Sequence, residues 1–205
     1  MQFTDAWTRP AGALLAVLLV AGCGGGSTEA PAPGANTTVP PDLRGRVVMV
    51  LPVQAEAGVL GDVDAELRFA LEARGEGIDW VFRDRLDSAL ERAPALQTRT
   101  TGLPVSMFMS REVQRVGDPL YGEIRRLASL VDAEVALIPV QVLPGAADEA
   151  GHWPLQVAVA LLLVRSGHVL WFGVEEGSPG EPGSPGVLAS AMESLARRLL
   201  WYTGG

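Results

Sequence analysis

Residues 47 to 53, Val47-Val48-Met49-Val50-Leu51-Pro52-Val53, form an unbroken apolar run. A run of this kind marks a strand covered on both faces and closed by a turn, because a half-exposed strand alternates apolar with polar residues. A sheet that must be dry on both sides needs a layer above and a layer below, and helices supply those layers. The run therefore predicts an α/β chain with this segment as its first, central strand.

The pattern that follows alternates between helix and strand periods. In DVDAELRFALEARG, Val63, Leu67, Ala70 and Leu71 share one helical face, Asp62 is placed to cap the start, and Gly75 suits the C′ position. Ile78 to Phe82 reads as a short strand. It runs into a second helix in which Leu86, Ala89, Leu90 and Ala93 line one face until Pro94 stops it. Residues 95 to 117 show no clear period and read as a loop with a short strand. Asp118-Pro119 predicts a helix start, aspartate as cap and proline at N1, followed by Leu120, Ile124, Leu127 and Val131 at the spacing of a buried face.

The last third reads as strand, hairpin and helix. Residues 134 to 143, EVALIPVQVL, have strand composition, but Pro139 cannot donate a ladder hydrogen bond and predicts an edge, a bulge or a break. Leu155 to Val164 and Val169 to Val174 flank the tight turn Arg165-Ser166-Gly167-His168, the clearest hairpin in the chain. Gly-Ser-Pro-Gly occurs at 177 to 180 and again at 183 to 186, as loop chemistry. A final helix then carries Leu188, Met192, Leu195, Leu199 and Tyr202 on one face, with Arg197 and Arg198 near its carboxyl end, where the helix dipole favours cations. The expected fold is a three-layer α/β sandwich with a mixed sheet of about five strands flanked by about four helices.

Cys23 is the only cysteine, and it closes a second apolar stretch, AGALLAVLLVAG at 11 to 22, behind Arg9. At ~20 residues per membrane span this stretch is short for a transmembrane helix and reads as an export signal. Val20-Ala21-Gly22-Cys23 resembles the bacterial lipobox. That resemblance implies cleavage between Gly22 and Cys23, diacylglyceryl on the thiol, and a membrane anchor at Cys23. Gly24 stands where an aspartate signals inner-membrane retention in some bacteria, so the implied location is the outer membrane, facing the periplasm.

GGGSTEAPAPGANTTVPP follows the cysteine and contains almost no large apolar residue, so it cannot repay the entropy of ordering. At ~5–6 Å times the square root of its length, a tether of roughly 20 residues holds a domain some 25 Å from its anchor on average. The expected organisation is a signal peptide at 1–22, an acylated cysteine and flexible linker at 23–45, and one α/β domain at 46–205. No other cysteine is present, so no intramolecular disulfide supports that domain.

Charge and motif content narrow the function. Net charge is −8, every one of the 16 basic residues is arginine, and no basic stripe is visible. This argues against nucleic acid and against anionic lipid head groups as electrostatic targets. His152 and His168 lie far apart, no metal-ligand spacing occurs, no G-x-S-x-G is present, and the glycine-rich segments lack the lysine and context of a phosphate loop. Acidic pairs occur at Asp62 and Asp64, Asp84 and Asp87, Asp148 and Glu149, and Glu175 and Glu176; they read as helix-start and loop acids. Arg83-Asp84-Arg85 reads as a surface ion network. No cofactor, metal or catalytic residue is assigned. Trp153, Trp171 and Trp201 lie near predicted element ends, where tryptophan either packs in the core or anchors partners, and are the candidate interaction residues.

The strand RVVMVLPV, the segment WVFRDRLDSAL, the junction LASLVDAEVALIPVQV and the hairpin VALLLVRSGHVLW together resemble the domain shared by the curli secretion lipoprotein CsgG, the lipoprotein activators of penicillin-binding proteins and the amino-terminal part of TolB. The resemblance spans residues 46 to 202 and implies a non-catalytic envelope lipoprotein that binds a protein partner as an accessory or assembly factor. Two alternatives follow from the same residues. One is a CsgG-like secretion-channel subunit, with residues 95 to 117 as the source of a membrane hairpin; the other is an enzyme acting on cell-wall material through carboxylates.

Overall fold

The computed structural model describes residues 39–110 and 112–203, so Gly22, Cys23 and most of the linker lie outside the described residues. The first run becomes β1, Val47–Val50, with Val48, Met49 and Val50 all buried. It is followed by α1 (Val63–Arg74), β2 (Asp79–Val81), α2 (Arg83–Arg92), the single turn α3 (Met107–Ser110) and α4 (Leu120–Ser129). Then come β3 (Val135–Pro144), β4 (Leu155–Leu163), β5 (His168–Glu176), α5 (Pro185–Leu199) and a 3-10 turn at Trp201–Thr203. The strands form one sheet in the order β2-β1-β3-β4-β5, with β1 parallel to both neighbours and the β3–β4 and β4–β5 pairs antiparallel. This is the expected mixed α/β sandwich, with α3 as an added fifth helix.

Two cores fill the space between layers. Val48, Val50, Val135 and Leu137 face α1 and α5; Met49, Leu51, Ala136 and Ile138 face α2, α3 and α4. The central position belongs to β3, not to β1, which is one strand in from the β2 edge. The reason lies in the crossovers. The β1-α1-β2 unit packs on one face of the sheet, and α2 and α4 return the chain across the other face to set β3 on the far side of β1.

Pro139 sits in this central strand, where a missing N–H would ordinarily break the ladder. A register shift against β4 between Pro139 and Gln141 absorbs it. On its other side the residue supplies only a carbonyl, which accepts the Gln54 N–H at 3.0 Å. The bulge has a second effect: Ala136, Ile138 and Val140 face α4, yet Val142 faces the α1–α5 core. One extra residue has switched the strand's buried face, as a bulge does.

The segment at 95–117 is more ordered than its sequence implies. Leu103, Val105, Phe108, Val113 and Val116 are all buried, and Phe108 stacks on Phe172 with ring centroids 5.7 Å apart. Its short strand is a bridge from Arg115 to His168, flanked by Val116 N–H to Gly167 O at 2.8 Å and Val169 N–H to Gln114 O at 2.9 Å. Gln54 staples the segment to the end of β1, donating to Thr100 O at 2.9 Å and accepting from Leu103 N–H at 3.0 Å. The apolar residues that a membrane hairpin would need are spent in this core.

Helix ends differ in detail from expectation. Asp62 caps α1 by accepting from Ala65 N–H at 3.0 Å. α4 begins one residue later than predicted: Pro119 occupies the capping position after a cis Asp118-Pro119 bond, while the Asp118 carboxylate accepts from Gly122 N–H at 3.0 Å. The second Gly-Ser-Pro-Gly is not all loop, since Pro185 supplies the first position of α5. Gly75 ends α1 with φ −89, so no left-handed conformation requires glycine. The requirement is space: a Cβ there would lie 2.4 Å from Trp80 Nε1 and 2.7 Å from Leu71 O. Gly75→Ala is therefore expected to cost about 1–3 kcal/mol by overpacking, measured as a lowered urea midpoint with unchanged slope.

Candidate interaction surface

In an open α/β sheet, ligands bind beyond the carboxyl ends of the parallel strands. Here that region is a cleft of about 380 Å³ between the ends of β1 and β2 and the first turns of α1 and α2. The fold brings two of the sequence's acidic pairs together in it, Asp62 with Asp64 and Asp84 with Asp87. It does not bring in Asp148 with Glu149 or Glu175 with Glu176.

Each cleft carboxylate is already engaged. Asp62 caps α1, and Asp64 accepts from Val53 N–H at 2.9 Å. Arg83 lies 3.7 Å from Asp64 and 3.3 Å from Asp87. Arg68 reaches Glu72 at 3.0 Å and Asp84 at 3.3 Å, with its guanidinium 4.9 Å over the Phe82 ring. Arg85 completes the predicted ion network by pairing with Asp79 at 2.9 Å. What the sequence presents as candidate acids is a set of carboxylates held by two helix starts and two arginines, an arrangement suited to rigid positioning and without an evident acid and base pair.

The remaining acids serve loops and seams. Asp148 accepts from the N–H groups of Ala150 and His152, both at 2.9 Å, closing its own turn. Glu175 lies 3.6 Å from Arg198, and burial pushes its carboxyl up. Arg74 joins α1 to α5 by donating to Glu193 at 2.8 Å, and this bond holds the Glu193 carboxyl below its ordinary value of 4.5. A carboxyl depressed by folding contributes stability above its unfolded value and loses it as the pH falls through the folded value. Glu193→Gln is thus expected to cost about 0.5–1 kcal/mol at pH 7, where this partly exposed pair is intact. The difference from the parent should shrink as pH drops below 4.5 in urea titrations run at both ends of that window.

The chain from the linker joins the domain at the opposite end of the sheet. Trp201 Nε1 donates to Pro40 O at 2.9 Å, and Leu43 N–H donates to the Tyr202 hydroxyl at 3.0 Å. Leu43 is wholly buried in the α1–α5 core. The Arg44 guanidinium lies 4.9 Å from the Tyr202 ring centroid, which meets the Trp201 ring edge-on at 5.7 Å. Residues 40 to 44, on the linker side of the expected boundary, thus form a strap on the end of the last helix.

The three candidate tryptophans part company. Trp201 is 54% exposed beside the strap. Trp153 is half-buried, its backbone bridged to Gly180. Trp171 corrects the expectation: at 1% exposure it is core, lying so close to Gly173 that a Cβ there would meet its ring at 2.1 Å. Its place on a sheet strand facing α5 leaves it no outer surface. Sequence reasoning missed Phe69 and Leu60, 73% and 68% exposed near the cleft rim. The helical wheel carried the signal for Phe69, because Val63, Leu67, Ala70 and Leu71 define the buried face and residue 69 points away from Leu67.

Among the described residues, no cluster of three or more His, Cys, Asp or Glu side chains could hold a metal, and no helix is long and apolar enough to cross a membrane.

The class these features define is an open mixed α/β sheet covered on both faces, with an ion-paired cleft at one end and a strapped linker at the other. No protein-family model matches the chain, and no curated protein does. Among solved structures the chain is similar to the LpoB C-terminal domain from Escherichia coli, at 21% identity and TM-score 0.41, over 71% of this chain and 88% of that one. It is also similar to the PelC dodecamer from Paraburkholderia phytofirmans, at 14% identity and TM-score 0.42, over 82% and 95%. A third is lipoprotein GNA1162 from Neisseria meningitidis, at 12% identity and TM-score 0.42, over 74% and 96%. Likeness at this level carries no conclusion about activity or partner.

Proposed function

We propose that this chain is an outer-membrane lipoprotein, acylated at Cys23 after cleavage behind Gly22, whose periplasmic domain binds a protein partner as a non-catalytic accessory or assembly factor. The strap is the observation that carries the reading. Chain arriving from the anchor is taken up by Trp201 and Tyr202 at the amino-terminal end of β1. This leaves the cleft, at the opposite end of the sheet from the strap, available to another envelope component. The engaged carboxylates of the cleft support a binding role over a reaction. Trp201 at the strap end and Trp153 at the cleft end of the sheet are the aromatic contacts assigned to the partner.

Reversible crosslinking in intact cells, followed by purification of this chain under denaturing conditions, tests the reading. One envelope protein should be recovered in constant ratio with the parent chain and be depleted with Cys23→Ser, which lacks the anchor. Recovery of no specific protein from the parent would overturn it.

A further inference from the structure

Most described arginines of the domain have a carboxylate at ion-pair distance; Arg92, Arg99, Arg115, Arg125 and Arg165 do not, and the last three lie around one turn. Among the described residues no carboxylate lies within ion-pair distance of any of the three. They come from three separate segments, the stretch before α4, α4 itself and the β4–β5 turn, and all three are exposed. Tyr121 touches two of these segments, and Arg115 joins the same turn. The tyrosine hydroxyl donates to Arg165 O at 2.8 Å, and the Arg125 guanidinium lies 5.6 Å from its ring centroid. Arg115 Nε donates to Ser166 O at 2.8 Å, one residue along the same turn.

The backbone fixes the turn against Tyr121 before any partner arrives. Gly167 has φ +67, and a Cβ there would meet the Tyr121 ring at 2.9 Å and Val116 O at 2.8 Å, so the turn closes onto the ring only because the residue is glycine. Arginine and tyrosine held rigidly on a surface are the residue types that dominate binding energy at protein interfaces. A guanidinium also presents paired N–H groups that match a carboxylate in two-point contact.

We propose that Arg115, Arg125 and Arg165 around Tyr121 form a docking surface for a carboxylate-rich segment of a partner protein. The inference rests on the protein-binding reading above and gives that partner its chemistry. Charge decides between an acidic segment and an extended polyanion. The chain carries −8 overall, and exposed Asp118 borders the cluster. A phosphate polymer or an anionic membrane would meet that repulsion along its length, whereas a short acidic loop meets the cationic island alone.

The test uses the detergent-purified full chain and a fluorescein-labelled hexaglutamate peptide, read by anisotropy at low salt. The parent should bind saturably. The triple variant Arg115→Gln, Arg125→Gln, Arg165→Gln should bind at least tenfold more weakly, and Arg92→Gln with Arg197→Gln, exposed arginines outside both the cluster and the cleft, should bind as the parent does. Because glutamine at these exposed positions removes charge and keeps length, unchanged circular dichroism checks the fold; Arg125→Glu alone gives a second variant with the same direction. Equal binding by the triple variant, or tighter binding of inorganic polyphosphate than of hexaglutamate, would overturn the proposal. Recovery of an envelope partner in cells, undiminished by the triple variant, would overturn this surface and leave the protein-binding reading standing.

Discussion

Replacing Phe108 by alanine is expected to lower the free energy of unfolding by about 3–5 kcal/mol, the cost of emptying a large aromatic site in a core that relaxes only in part. The side chain is 1% exposed and stacked on Phe172, itself 1% exposed, so its removal strips contact from both the segment at 95–117 and the sheet. Set against a total stability of about 5–15 kcal/mol for a domain, the loss moves the protein close to its folding threshold. Urea unfolding of the purified variant measures it. Met109→Ala, at a half-buried neighbour on the same turn, should cost much less. A cost below about 1 kcal/mol for Phe108→Ala, the range of a surface change, would mean that this segment is not part of the core.

Cys23→Ser is expected to move the protein from the membrane fraction almost completely. A single acyl chain binds a bilayer only marginally, at roughly 0.8 kcal/mol per buried methylene, while the two or more chains implied by the lipobox anchor on cellular timescales. A serine hydroxyl does not replace the thiol in that chemistry, so both acylation and cleavage behind Gly22 should fail together. Labelling with a radioactive fatty acid reads the first and a mass shift reads the second. Label retained in Cys23→Ser would sink the assignment. A lipid-anchored tether raises the local concentration of a domain near its membrane, so Cys23→Ser should also weaken capture of any membrane-bound partner without touching its binding surface.

Elements whose evidence is periodic were legible. The faces of α1 and α5, the β4–β5 hairpin with Gly167 at its turn, and the five-strand count all follow from burial demands written every two residues or every three to four. The Asp62 cap was legible because a cap is local. Residues 95–117 were not, because their apolar residues serve a core assembled from distant strands and show no period of their own. Gly75 was read as a helix-ending glycine for its conformation, whereas the need arises from an indole that β2 places against it. Trp171, close to a turn, fits either a core or an anchoring position by sequence alone; strand pairing to β4 puts it inside.

The candidate site was legible only as parts. Asp62, Asp64, Arg83, Asp84 and Asp87 were each visible, but their convergence depends on two helix starts meeting at the end of one sheet. The same holds for Arg115, Arg125 and Arg165, which Tyr121 and the β4–β5 turn bring together from positions far apart in the chain.

By itself the sequence determined the class of this protein: two-sided burial of strands, helices to cover them, one domain's worth of core, and an apolar stretch ending in a lone cysteine before a polar tether. These are demands that each segment makes through its own composition and period. Tertiary structure alone decided which strand is central, that Pro139 turns the face of β3, that the strap at Pro40 meets Trp201, and which arginines find carboxylates. Those outcomes join residues separated by long stretches of chain. They depend on shape and charge meeting across the folded core, where no local period records them.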